Sequence, residues 1–223
     1  MQKFDTTSPI TAVLDIPAGR IQFIAADRTD TTVEILPADK SKSRDVKAAE
    51  QVTIAYSDGV LRIEAAASKN RILGNSGSVE VTVQLPAGSR VEAKTAAAEL
   101  RGVGRLGDVT FESAQSTVKL DETASARVTI QAGEIHVGRL NGPAQISTQK
   151  GDVNITEATG GTVELRTESG DITINATRGT SATLDAGTAY GRIHNTLQNT
   201  DGATAGLNIQ ATTAHGDITA RSL

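Results

Sequence analysis

A glycine followed by an acidic residue and a β-branched residue recurs through the second half of the chain, and it limits the fold more than any other feature. It stands as Gly133-Glu134-Ile135, Gly151-Asp152-Val153, Gly170-Asp171-Ile172 and Gly216-Asp217-Ile218, with Gly191-Arg192-Ile193 as a variant between the last two. Successive anchor glycines are 18, 19, 21 and 25 residues apart. Two degenerate copies, Ser116-Thr117-Val118 and Ala98-Glu99-Leu100, fall in register upstream and bring the number of units to seven. A period near 20 residues marks a repeat architecture in which each unit is one small supersecondary element.

Each anchor is preceded by a strictly alternating stretch. Its inward positions read Val91, Ala93, Thr95; Val109, Phe111, Ser113; Ala126, Val128, Ile130; Ala144, Ile146, Thr148; Val163, Leu165, Thr167; Leu184, Ala186, Thr188; and Ile209, Ala211, Thr213. Polar residues such as Glu92, Lys94, Gln145, Ser147, Glu164 and Arg166 stand between them. Period two with one apolar face is the pattern of a half-buried strand. A second short strand follows each anchor, with apolar pairs such as Ile135/Val137, Val153/Ile155 and Ile172/Ile174. Two short strands cannot bury an apolar face alone, but stacked copies bury a continuous core. The expected fold is therefore all-β, a β-helix or β-solenoid with rungs of about 18–20 residues. An antiparallel sandwich of hairpins is the competing architecture. Recurrence of the same residue type at the same offset favours stacking.

The N-terminal third is β but less regular. Residues 12–16, 20–25, 31–36, 51–56, 60–64 and 78–85 alternate or are rich in Val and Ile, and Asp58-Gly59 is a hairpin signal. Residues 38–50 are charged and read as one short helix, and 68–77 read as an exposed loop. Leu14-Asp-Ile16-Pro-Ala-Gly19 echoes Val83-Gln-Leu85-Pro-Ala-Gly88. The expected organisation is an irregular N-terminal cap and first rungs over 1–88, followed by regular repeats over 89–223 in one elongated domain, with a two-domain split near residue 88 as the lesser option.

Only five aromatics are present, Phe4, Phe23, Tyr56, Phe111 and Tyr190, with no Trp. That suits thin pleated layers of Val, Ile, Leu, Ala and Thr better than one thick core. The formal net charge is −4, with Lys and Arg scattered singly. Neither a basic patch nor a stacking platform for bases is formed, which argues against nucleic-acid binding. There is no cysteine, so disulfide frameworks and thiolate metal sites are excluded. No run reaches the roughly 18 apolar residues of a membrane span. The N-terminus lacks the apolar segment of a signal peptide, so the sequence as it stands reads as cytoplasmic. A chain relieved of an export signal would instead belong at the cell surface.

The Gly-Asp anchors, Val81-Thr-Val-Gln-Leu-Pro-Ala-Gly-Ser89 leading into the repeats, and Arg28-Thr-Asp-Thr-Thr-Val-Glu-Ile-Leu-Pro37 resemble the bacterial "putative adhesin" β-repeat family, also called the DUF4097 family. The resemblance covers nearly the whole chain. It implies a right-handed single-stranded β-helix with no established enzymatic activity.

The anchor column is the first candidate site: Gly133, Glu134, Gly151, Asp152, Gly170, Asp171, Gly191, Arg192, Gly216 and Asp217. Stacked at the rung spacing of about 4.8 Å, its carboxylates could form a cation site or, as corner residues, accept backbone N–H bonds. The calcium-binding solenoid nonapeptide is absent, so the corner reading is preferred, with Arg192 expected between Asp171 and Asp217 to neutralise both. His136 and His194 share an outward column about three rungs apart, too far to share a metal, and His215 precedes an anchor. No Gly-x-Ser-x-Gly elbow, P-loop or His-Glu-x-x-His pattern is present, so no catalytic residue, metal or cofactor is expected.

The long polar stretch 195–206, with Asn195, Gln198, Asn199 and Asp201, is a candidate partner-binding loop, and 68–77 a second. The expected function is non-enzymatic binding of a protein or glycan partner. The alternative is a cytoplasmic scaffold that dimerises or self-associates end to end through an uncapped C-terminal rung, because open strand edges invite pairing.

Overall fold

A computed structural model describes residues 1–65 and 77–223, and in it they form one β-solenoid with a single short α-helix. The expected loop at 68–77 lies, but for Gly77, outside the described residues. In chain order the strands are β1 (Gln2–Asp5), β2 (Thr11–Asp15), β3 (Ala18–Ala26) and β4 (Asp30–Pro37). Then come helix α1 (Ser43–Glu50), β5 (Val52–Ser57), β6 (Val60–Ala65), β7 (Val79–Pro86) and β8 (Arg90–Lys94). The continuous extended run β9 (Ala97–Ala132) is followed by β10 (Ile135–Leu140), β11 (Ala144–Lys150), β12 (Val153–Ala158), β13 (Gly161–Ser169) and β14 (Ile172–Ala176). The last four are β15 (Ala182–Tyr190), β16 (Ile193–Thr196), β17 (Leu207–His215) and β18 (Ile218–Ser222).

Each rung has two arms that meet at an anchor glycine. First arms stack in parallel on first arms and second arms on second arms: Ile146 sits opposite Leu165, and Ile135 opposite Val153, itself opposite Ile172. The columns are those that the alternation requires. Within β9, residues 97–104 lie on β3, 109–112 on β8, 118–123 on β10 and 126–132 on β11, so this one run winds through nearly two rungs. The core is correspondingly thin and continuous. Val118, Ile135, Val153, Ile172 and Ile218 form one fully buried column. Each such side chain contributes roughly 1.5–3 kcal/mol of burial.

The order of stacking departs from the order of the sequence at both ends. β17 pairs with β13 on one side and β15 on the other, and β18 lies between β14 and β16. The last rung of the chain, 207–222, is therefore inserted between rungs 161–176 and 182–196. The open end of the stack is rung 182–196, which corrects the expectation of an uncapped C-terminal rung. The N-terminal end mirrors this. β2 lies between β6 and β8, and β3 between β7 and β9, so rung 11–26 is held between rungs 60–86 and 90–104.

The N-terminal end is closed by antiparallel structure. β4 runs antiparallel to β7, β1 to β4, and β5 to β6. Asp58 and Gly59 take φ of +51° and +76°, the two left-handed residues that a tight hairpin turn needs. Buried Asp45 of α1 accepts the Ser78 N–H at 3.0 Å and pins the helix against the start of β7. β1, which the alternation did not reveal, is held by the Lys3–Asp30 pair at 3.2 Å and by the Phe4–Tyr56 ring contact at 5.3 Å. Hydrogen bonds from Arg28 and then Lys3 lower the Asp30 carboxyl to about 2.

Candidate functional site

At the anchor corner the acidic side chains bond to the backbone of the next rung. Asp152 Oδ1 accepts the Asp171 N–H, Asp171 Oδ1 accepts the Asp217 N–H, and Asp217 Oδ1 accepts the Arg192 N–H, each at 2.8 Å. A threonine ladder runs beside them. The hydroxyls of Thr167, Thr213 and Thr188 donate to the carbonyls of Gly151, Gly170 and Gly216 at 3.1, 3.1 and 3.0 Å. Here the hydroxyls bond to backbone rather than to one another; nearer the N-terminus, Thr95 and Ser113 are bonded hydroxyl to hydroxyl, at 2.9 Å. The glycines are required by close approach. A Cβ on Gly151, Gly170 or Gly216 would stand 2.0–2.1 Å from the carbonyl oxygen of the anchor glycine below.

Among the described residues, no group of three or more His, Asp or Glu side chains is placed to hold a metal ion. Asp171→Ala is expected to cost about 1–2 kcal/mol in thermal or urea unfolding by orphaning the Asp217 N–H, whereas Asp171→Asn, which keeps an oxygen acceptor, should cost less than half as much.

Two anchors escaped the sequence reading. Gly19-Arg20-Ile21 stands in register with Ala98-Glu99-Leu100, and Val79-Glu80-Val81 stands on its other side. Gly19 has φ +150°, as Gly170 has, and the triplet is spelled as in Gly191-Arg192-Ile193, which was the available signal. The arginine that sits between two acids is Arg20, at 2.7 Å from Glu80 and 3.4 Å from Glu99. Arg192 was expected to fill that role between Asp171 and Asp217, but it lies beyond Asp217 at the end of the column. The inserted rung likewise places four steps, not three, between His136 and His194, with Asn154, Thr173 and Thr219 intervening.

The open rung exposes what the inner rungs bury. Ile193 is 44% exposed, against 0% for Ile172 and Ile218 in the same column. Leu184 and Ala186 are only partly covered, and Tyr190 is 72% exposed with one ring face stacked on His215 at 4.9 Å. Asn195 occupies the position that Ile174 and Ala220 fill in the rungs below. A polar residue in an otherwise apolar column is the sequence mark of a terminal rung.

The return segment 197–206 closes the third side of this rung. Gln198 N–H donates to Ser222 Oγ at 2.9 Å, and its carbonyl accepts the Ala182 N–H at 3.0 Å. Ser181 Oγ donates to Asn199 Oδ1 and accepts the N–H groups of Thr200 and Asp201 at 3.1–3.2 Å. Asn195 Oδ1 accepts the Leu197 N–H at 3.0 Å. Asn195, Gln198, Asn199 and Asp201 are thus exposed residues tied into the rim of the open rung, with Leu197 tucked beneath them.

A family model described as Toastrack DUF4097 matches residues 13–221. The chain belongs to that family. This Toastrack chain is similar in structure to a "putative cell adhesion protein" from Clostridium sporogenes, at 11% identity and a TM-score of 0.42, covering 100% of this chain and 98% of the other. It is also similar to "putative adhesins" from Parabacteroides distasonis and Bacteroides fragilis, at 12% and 13% identity and TM-scores of 0.48 and 0.45, covering 100% of this chain and 95% of each of those. None of the curated proteins matches it. No helix among the described residues of the Toastrack domain is long and apolar enough to cross a membrane.

Proposed function

We propose that this Toastrack domain is a non-enzymatic, adhesin-like binding module that takes a protein strand onto the open edge of rung 182–196. The observation that carries the reading is the free edge of β15 beside the partly covered Leu184 and Ala186 and the exposed Ile193. Neither β15 nor β16 holds a Pro or Lys, the residues that ordinarily blunt an exposed strand edge. Strand addition to such an edge draws affinity from main-chain bonds and specificity from alternate side chains.

Protein is favoured over glycan as the partner. Phe23 and Phe111 are fully buried, and one face of Tyr190 is taken by His215, which leaves little aromatic surface on which a sugar could stack. The test is selection of a displayed library of extended peptides against the parent chain and against Ile193→Lys. Alternating apolar peptides should be enriched by the parent alone, with amide shift changes confined to 182–206. Equal enrichment by both proteins, or shifts centred elsewhere, would refute the reading.

A further inference from the structure

We infer that the occupant of the open rung is a second copy of this chain, docked about a two-fold axis normal to β15 at Ala186. The inference rests on the strand-binding reading above and names its partner.

The backbone sets the register. Leu207 N–H donates to the Ser181 carbonyl at 3.2 Å, which turns the odd-numbered residues of β15 toward β17. In a parallel ladder N–H and C=O of alternate residues point to opposite sides. The groups of Leu184, Ala186 and Thr188 therefore point out of the free edge, as the Ala182 N–H already does toward the Gln198 carbonyl. An antiparallel copy can use all three residues at once in one register. Ala186 then faces Ala186 of the second copy, and Leu184 faces its Thr188.

Charge and shape agree with that register. The one charged side chain of β15, Asp185, comes to lie opposite Gly187 of the second copy, so no like charges oppose each other. Rotation about an axis normal to β15 keeps the core side of both copies facing the same way. The apolar layer of one rung, Leu184, Ala186, Ile193 and Leu197, then meets the same layer of the other. A lone strand would satisfy the β15 edge but leave Ile193 open. A second closed rung covers it. At the other end of the stack α1 and the antiparallel strands β1, β4 and β5 offer no matching outline. One rung is a small footprint, with β15 about 30 Å long, so the dimer should dissociate in the micromolar range, as small interfaces do.

The chain holds no cysteine, which makes a single introduced thiol decisive. Sedimentation velocity of the parent should show a monomer–dimer equilibrium, shifted to monomer at least tenfold in Kd by Ile193→Lys. Ala186→Cys should form a disulfide-linked dimer on mild oxidation, because paired residues in an antiparallel ladder lie about 5.5 Å apart, within disulfide range. Gly187→Cys, where a Cβ meets nothing within 4 Å, faces Asp185 of the second copy rather than itself and should cross-link at least tenfold less. A parent that stays monomeric at all concentrations overturns the second copy as occupant, while the peptide selection independently decides the strand-binding reading. Equal cross-linking by the two cysteine variants, or a dimer indifferent to Ile193→Lys, overturns the two-fold at Ala186.

Discussion

Gly170→Ala should lower the stability of the chain by about 4 kcal/mol or more, read as a drop in the urea midpoint. Gly170 has φ +150°, and a Cβ there would stand 2.1 Å from the Gly151 oxygen and 2.9 Å from Asp152 Oδ1. Those neighbours are the backbone of the adjacent rung and the side chain that accepts the Asp171 N–H, so relief requires the corner to open. Opening it also weakens the Gly170 N–H bond to the His215 carbonyl at 2.9 Å and the Thr213 hydroxyl bond to the Gly170 carbonyl. Gly179→Ala is the control. Gly179 has φ +80°, but nothing lies within 4 Å of its would-be Cβ. It should lose only the backbone preference, about 1 kcal/mol. If the two variants lose the same stability, close approach is not what the anchor glycines provide.

The columns of this solenoid were legible because period two and a fixed anchor leave each inward residue only one kind of neighbour. Val163, Leu165 and Thr167 could only lie beside residues of the same register, and they do. The order of the rungs was not legible, because the anchors are interchangeable. Gly170-Asp171-Ile172, Gly216-Asp217-Ile218 and Gly191-Arg192-Ile193 are spelled so nearly alike that each can be aligned on any other. A difference in composition decides the order. Rung 207–222 carries Leu207, Ile209, Ala211, Ile218 and Ala220, all buried, whereas rung 182–196 carries Gly187, Tyr190 and Asn195. Burying the more apolar rung on both faces and leaving the more polar one at the end removes more apolar surface from water. The link 177–181 permits this, since five extended residues easily span two rung heights of about 4.8 Å each. The 25-residue anchor spacing holds the return segment 197–206, by which the chain steps back down the stack. The same blindness hid the open rung as a candidate surface, because its residues gain meaning only when nothing stacks on them.

The inserted rung makes the two last rungs one cooperative unit, and Ile218→Asp should show it. Ile218 is fully buried between Ile172 and Ile193, so a carboxylate there would be enclosed by apolar side chains. The cost should be on the order of 4 kcal/mol, enough to expel β17 and β18 from the stack. Rung 182–196 is not paired to rung 161–176 directly; its strands β15 and β16 pair with β17 and β18. Hydrogen exchange in Ile218→Asp should therefore rise across 182–222 together, while β10 to β12 keep the parent's protection. Ile193→Asp changes a residue that is 44% exposed in the outer rung, and it should cost about 1 kcal/mol with faster exchange confined to 182–206. A stack in sequence order would give a different pattern, because rung 182–196 would then rest on rung 161–176 and stay protected when 207–222 is lost. Protection retained over 182–196 in Ile218→Asp would therefore contradict the inserted order.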